Sequence, residues 1–543
     1  MHKKSRLLYL VIPSALTLVL AACSGSGQPQ STTKTYGPDD YAPNAGQLTL
    51  RLSSEWKDFN IQATGDAFSQ SLIQNGYETL LAQDEAGKLT GYLATSWQAT
   101  PTSITFTLQK DATCADGTVV TPTIVKNSLQ RMIDNKAPYN RANWGPGPYT
   151  VTADDAAGTV KFETATPYGP LEYGFSNTFS GNMTGIVCPA GLAPGADLTT
   201  KMYGSGPYEL VDAVHGDHVT FKLRSDWKGG PGGISAQTPG LAQTVVYKII
   251  TDDTTATNLL RTGGLDVANI AGPNVPSLLN DPTYRSVQTT TWVPHVMSFN
   301  ENPGHPTTDK VLRQALITAL DPNAYSQAVF QGRGVVSKSV ATPDVECYDP
   351  EVEKLAPTPS VDAAKTVLAN GGYTLSDGKL MKDGQQVSLH LIYGNLYDPA
   401  AEYVTSQWQQ LGINVQTDNQ PYQQWVAQLV AGQQDATLVT TLSPGPIMGP
   451  PSQRLTGPGS PAGTNYSQSN DPALNDAQAK AIQLTGTDAC AAWSDYQKIM
   501  WQNWDMLPLV APYDYVFSSS GWYVAPTNAR YPYPIQVHKL KNA

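Results

Sequence analysis

The sequence predicts an α/β protein with more than one packed domain, and three observations lead there. First, 543 residues with 40% hydrophobic and 9% aromatic content are too apolar for a disordered polymer. Second, the chain is too long for one core, because single cores stop growing near about 250–300 residues. Third, short segments of two-residue alternation are interleaved with segments of helical period, and no repeat points to a solenoid. Charged residues make up only 15%, below the roughly 25% of an average soluble protein, while Gly (46) and Pro (41) are plentiful. That balance argues against a coiled coil and for a loop-rich polar exterior.

From the amino end, Lys3, Lys4 and Arg6 precede an apolar run from Leu7 to Ala22 broken by Pro13, Ser14 and Thr17. The run is too short to span a bilayer comfortably, so residues 1 to 22 read as a secretion signal. Leu20-Ala21-Ala22-Cys23 resembles the bacterial lipobox, in which cleavage precedes the cysteine and its thiol receives a diacylglyceryl group. Residues 23 to 47 carry Gly, Ser, Pro, Gln and Thr with few large aliphatics, the composition of a flexible tether. No later stretch approaches about 18 apolar residues, so no membrane span is predicted in the mature chain. Removing residues 1 to 22 takes three of the 34 basic residues and none of the 45 acids, so the net charge deepens from −11 to −14. An acidic chain without a basic block is no nucleic-acid binder.

With Cys23 acylated, Cys114, Cys188, Cys347 and Cys490 remain. An even count in an oxidising compartment implies two disulfides, with three connectivities open. No Cys-x-x-Cys pair and no cysteine beside a histidine at ligand spacing appears, so neither a zinc site nor any other metal or cofactor is expected.

Leu48 to Leu52 and Ile104 to Leu108 alternate as half-buried strands do. Asp116-Gly117 reads as a turn, and Thr121-Pro122 opens a helix with proline in its first turn. Val311, Leu312, Ala315, Leu316, Ala319 and Leu320 recur at helical spacing behind Thr308 and Asp309, either of which can cap. A second amphipathic helix runs from about Ala400 to Leu411, with Trp408 on its buried stripe. Gly412 stops it and Ile413-Asn-Val415 starts a strand. A third helix follows from Tyr422 to Val430.

Five segments carry a resemblance beyond periodicity: Tyr77 to Thr100, Ile104 to Arg131 around Asp116-Gly117, Gly204 to Asp212 with its Gly-x-Gly-Pro-Tyr entry, Val246 to Ala268, and Met297 to Tyr325. Together they are similar to the extracytoplasmic solute-binding proteins of family 5, the large receptors of peptide-type ABC importers, and matching segments run in family order from about 48 to 540. The resemblance implies an α/β, two-lobed periplasmic-binding-protein fold with two hinge crossings and an enlarged lobe I, type II-like and of cluster C. Lobe I would take residues 48–290 and 505–543, and lobe II residues 291–504, with crossings near Thr291 to Phe299 and Asp505 to Pro512. Within-lobe disulfides, Cys114 with Cys188 and Cys347 with Cys490, would leave that hinge free. Partners would be a membrane permease with its ATPase subunits and a small solute, and the protein would act as a monomer without catalysis.

Position in the matched segments nominates Glu55, Trp56, Asp58, Asn60, Trp292, Asn300, Tyr397, Tyr422, Trp425, Ser443, Tyr466 and Trp522 as cleft residues. Asn300 is favoured as an amide beside a hinge that can donate and accept. In dipeptide-binding relatives an arginine-rich turn meets the peptide carboxylate and an aspartate meets its ammonium. Here Tyr393 to Val404 holds Asp398 and Pro399 without arginine, and Asp435 is the only acid from Asp435 to Ser452. A buried charge without a partner costs several kcal/mol, so strict dipeptide recognition is not expected. Oligopeptides held by their main chain are the leading expectation, and neutral oligosaccharides, suggested by the excess of Tyr and Trp, the alternative. A secreted hydrolase is the remaining alternative, disfavoured because neither Gly-x-Ser-x-Gly nor His-Glu-x-x-His appears. His215-Gly-Asp-His218, the one close histidine pair, reads as a hairpin turn.

Acylation of Cys23 is directly testable, because the acyl chains supply the anchoring energy. Cys23→Ala should release the protein into the medium or leave it unprocessed, scored by fractionation. Retention in the membrane at the wild-type level would exclude the assignment.

Overall fold

The computed structural model describes residues 35–541 except 65–66, 85, 138–139, 178–183, 291, 395–396, 441–446, 460–463 and 526–531. The signal, Cys23 and the first part of the tether therefore lie outside the described residues.

Two large sheets organise the molecule. The first has eight strands, running Tyr284–Thr290, Val510–Ser519, Val267–Ile270, Gln47–Leu52, Thr244–Ile249, His218–Leu223 and Tyr208–Val214, with Gly334–Val336 added beside the start of Val510–Ser519. The second has five, Asn414–Gln420, Ser388–Gly394, Ala436–Thr440, His295–Phe299 and Met506–Pro508. The chain passes from the first sheet to the second after Thr290 and returns at Leu509, between Met506–Pro508 and Val510–Ser519. Each sheet has its own core, one around Leu48, Leu50, Tyr247 and Trp522, the other around Phe299, Leu316, Leu391 and Trp408. A third core, with Phe106, Trp144, Phe162 and Phe175, lies under the antiparallel sheet Ala94–Thr100, Ser103–Leu108, Thr159–Thr164 and Tyr149–Asp154.

Local chemistry sets the boundaries. Gly117 turns at φ 83°, and the Thr121 side chain accepts from Ile124 N to start helix Pro122–Asp134. Of the two candidates before helix Lys310–Thr318, Asp309 is the cap, accepting from Val311 N at 2.8 Å. Helix Asp398–Gln409 carries Trp408 into the core, where its indole donates to Leu316 O, and Gly412 at φ 84° turns the chain into Asn414–Gln420. Gly204 and Gly206 are required by close approach, since a Cβ would lie 2.1 Å from Gly76 O at the first and 2.4 Å from Gly76 C at the second.

One expectation is corrected. Residues 36–46, assigned to the tether, are packed onto the body. Tyr41 pairs with Leu540 and stacks on His538 at 4.2 Å, Ala42 N donates to Lys539 O, and Tyr36 meets Arg285 and Tyr523. The segment is short of aliphatics, but Tyr41 is buried as a leucine would be, and Tyr36 is half-buried against its partners.

The structure joins Cys114 to Cys188 across 74 residues and Cys347 to Cys490 across 143. Arg313 is a buried clamp. Its guanidinium donates to the carbonyls of Thr307, Thr308, Asn503 and Trp504, and Nη2 lies 3.1 Å from Glu301 and 3.3 Å from Asp505. One cation faces two buried carboxyls, and burial raises both of them above the usual carboxylate range while Arg313 opposes the rise.

Burial likewise pushes Glu78, which accepts from the Trp227 indole, up to about 7, and pushes His538 down to about 4. The raised carboxyls make the folded state hold more protons than the unfolded one, so their contribution is full below the ordinary carboxylate range and lost as pH rises through neutrality. His538 acts oppositely, losing stability as pH falls from its ordinary range toward 4. Calorimetry should therefore show Tm rising by a few degrees from pH 8 to pH 6, the three raised carboxyls outweighing His538, with Glu78→Gln flattening that rise. A Tm that climbs steadily from pH 6 to pH 8 would contradict this.

Candidate ligand-binding site

Strand registers locate the site. In the first sheet, Gln47–Leu52, Thr244–Ile249 and Val267–Ile270 are mutually parallel, and the antiparallel pairing of Thr290 with Tyr513 puts the first crossing at their carboxyl ends. In the second, Ser388–Gly394, Asn414–Gln420 and Ala436–Thr440 are parallel, and His295, the first residue of its strand, pairs with Thr440. Both sheets thus present their carboxyl edges at the crossings, which is where open α/β sheets place ligands.

Several candidates reach this junction. Trp292 lies in the first crossing, its carbonyl accepting from Thr342 N. Tyr397 follows strand Ser388–Gly394, and its ring packs on His295 at 5.1 Å and Trp425 at 5.6 Å. The Trp425 indole donates to Thr437 Oγ1, and its ring lies against Gly394. Tyr422 begins helix Tyr422–Val430 at the same edge. Ser443, and the side chain of Tyr422, lie outside the described residues.

The loop after Gln47–Leu52 turns toward the far side of its own sheet. Glu55 accepts from Gly216 N and meets His215 Nδ1 at 3.0 Å, and Trp56 stacks on the His215 ring at 4.2 Å. Asp58 accepts from Asn60 N and Thr64 Oγ1, and Asn60 from Gln62 N, so both shape the loop itself.

Three candidates are misplaced. Asn300 is not beside a crossing, because strand His295–Phe299 runs away from it and leaves Asn300 at the far edge. There Asn300 is fully buried, Nδ2 donating to Gly432 O and Gln434 O, and Oδ1 accepting from Asn302 N. Tyr466 is tied to that same far edge, its carbonyl accepting from Gln434 and its ring lying under Arg454. Trp522 is a core residue whose indole donates to Asp266 at 2.9 Å.

Two contacts went unread in the sequence. His215 sits in the hairpin turn as anticipated, but only strand order reveals that this turn meets the loop holding Glu55 and Trp56. Gly169 belongs to the chain beside the antiparallel sheet and reaches the second lobe, its N–H donating to Ile482 O at 2.7 Å. No sequence signal distinguishes it. Among the described residues, no group of three or more His, Cys, Asp or Glu side chains is placed to hold a metal, and no helix is long and apolar enough to cross a membrane.

Residues 88–466 match the family described as bacterial extracellular solute-binding proteins, family 5 Middle. The chain belongs to this family. Among curated relatives, this family 5 protein is 26% identical over 494 residues to the periplasmic murein peptide-binding protein MppA of Escherichia coli, covering 85% of this chain and 86% of that one. Its fold is similar to that of the oligopeptide-binding protein AppA of Bacillus subtilis in complex with a nonapeptide, with TM-score 0.76, 20% identity, and coverage of 92% and 100%. It is also similar to a substrate-binding protein of Microbacterium hydrocarbonoxydans complexed with 4-hydroxybenzoate hydrazide, with TM-score 0.75, 24% identity, and coverage of 91% and 100%. The family 5 protein is a two-lobed, extracytoplasmic substrate-binding protein of an ABC importer, and the relatives it matches are named as binding proteins.

Gly169 offers a ligand-independent test of closure in this family 5 protein. A Cβ there would lie 2.1 Å from Leu484 O, so Gly169→Leu cannot keep the contact between lobes. Small-angle scattering should show a larger radius of gyration with an unchanged circular dichroism spectrum. A scattering curve identical to wild type would remove Gly169 from the closing surface.

Proposed function

We propose that the protein captures oligopeptides between the two carboxyl edges and delivers them to a membrane permease with its ATPase subunits. In this reading it works as a monomer held to the outer face of the cell membrane by acylated Cys23, without catalysis. The observation that carries the peptide part is the state of the acids in the segments where dipeptide binders hold terminal charges. Asp398 accepts from Asn419 Nδ2 at 2.6 Å. Asp435 meets His305 Nδ1 and accepts from His390 N, each at 2.7 Å, at the far edge of its sheet. Asp435, paired with His305 at the far edge, is not available as a counter-ion for a peptide ammonium at the junction, which favours recognition through main-chain hydrogen bonds.

Burial of the rings favours peptide over oligosaccharide. Sugar stacking needs an open aromatic face, whereas Tyr397 and Trp425 are each 5% exposed and engaged with each other. In this reading they line the ligand's space together with Trp292, which lies in the first crossing. Peptide-binding relatives such as MppA and AppA are consistent with this assignment.

Main-chain hydrogen bonds do not distinguish a capped end from a charged one, whereas a desolvated ion pair does. Calorimetry on acetylated and amidated oligopeptides should give affinities within about tenfold of their free counterparts, a gap of ~1.4 kcal/mol. A loss of a hundredfold on capping either end would establish a charged anchor and overturn this mode of binding. Binding of oligosaccharides in place of peptides would overturn the ligand class.

A further inference from the structure

Between its two crossings the chain visits the first sheet once more. Helix Pro322–Phe330 belongs to the second lobe, where Tyr325 is buried in the core. Gln331 at φ 55° and Gly332 at φ 75° then turn the chain out, and Gly334–Val336 pairs antiparallel with Val510–Pro512 of the first sheet. From Ser337 the chain returns. Ser337 Oγ donates to Ala341 O, Gln497 of helix Gly486–Asn503 accepts from Ser339 Oγ and Val340 N, and the Trp501 indole donates to Lys338 O. Ser337, Ser339 and Thr342 are fully buried, whereas residues 333–336 are half-buried. The segment is rooted in the second lobe and only laid against the first.

The ladder spans the point where the chain changes sheets. Leu509 lies between Met506–Pro508 and Val510–Ser519, and the three paired residues are flanked by Tyr513 N donating to Arg333 O at 3.3 Å and Ser337 N donating to Leu509 O at 3.1 Å. The first crossing runs alongside the second, since Thr290 pairs with Tyr513 and Val296 with Pro508. Strand Val510–Ser519 has Tyr284–Thr290 on one side and Val267–Ile270 on the other. Arg333 Nη2 donates to Gly272 O at 2.9 Å, just past the end of Val267–Ile270, so the segment prolongs the line of that strand, away from the first crossing. Three strands thus lie abreast between the lobes. The fit is close, because a Cβ at Gly334 would lie 2.6 Å from Val510 Cγ1 and 2.8 Å from Ala511 O.

We propose that residues 331–337 are the third strand of the hinge, and that Arg333 is the positioning residue that pins this strap to the first lobe. Two separate crossings would let the lobes splay sideways as well as close, because each can absorb rotation in its own φ and ψ. A hydrogen-bonded ribbon three strands wide can twist and curl, but it cannot bend in its own plane without breaking ladder bonds. The strap therefore confines the lobes to one path between open and closed. That constraint holds for any ligand, so it stands apart from the peptide reading.

The test uses the full mature protein with no ligand added. Arg333→Ala should speed hydrogen exchange at the amides of Ser337 and Tyr513 by about tenfold or more and raise the radius of gyration seen by small-angle scattering. The amide of Asn300, which donates to Asp435 O at the far edge of the second sheet, should keep its wild-type rate. Arg333→Lys, long enough to reach Gly272 O, should restore both the slow exchange and the smaller radius. Unchanged exchange at Ser337 and Tyr513 in Arg333→Ala would overturn the proposal. Faster exchange with an unchanged radius would overturn it too, because the strap would then not restrain the lobes. An equal rise at Asn300 would do the same, since Arg333 would then serve overall stability and not the hinge.

Discussion

The carboxyl edges of the two sheets are obliged to face each other because the chain passes between the sheets after Thr290 and at Leu509, both at those edges. Everything functional follows from that constraint. At the far ends of the two strands nearest the crossings, Glu301 and Asp505 are gathered by Arg313, which also collects the carbonyls ending helix Gly486–Asn503. Removing one member of such a buried group leaves a charge unpaired, at a cost of about 3–5 kcal/mol. The far ends of these two strands are thus tied together away from the crossings.

Much of the architecture was legible because its causes are local. Gly117, Thr121, Asp309 and Gly412 act within a few residues of themselves, so a linear reading finds the turns and helix ends they set. The misplacements share the opposite property. Trp522 became a core residue through Asp266, 256 positions away, and Tyr41 through His538 and Leu540. Asn300 was assigned to the right strand and the wrong end of it, because the direction a strand runs from a crossing is a property of the sheet, not of its own residues.

The candidate site was less legible than the fold for a related reason. The residue types nominated from the sequence, Trp, Tyr and carboxylates, also serve as packing and capping groups, and the structure divides them between these uses. Trp56 lies against His215, and Tyr397 and Trp425 against each other, so their rings shape walls more than they offer faces. Gly169 contributes by having no side chain, a role without any pattern in the sequence.

The order of the disulfides along the chain carries a last consequence. Cys114 is joined to Cys188 and Cys347 to Cys490, so each cysteine is bonded to its nearest neighbour in sequence and the two loops neither nest nor interlock. A chain emerging amino end first into an oxidising compartment would complete the first loop before Cys347 arrived. The earliest pairing available is then the native one, and oxidation in order of appearance needs no later exchange of partners.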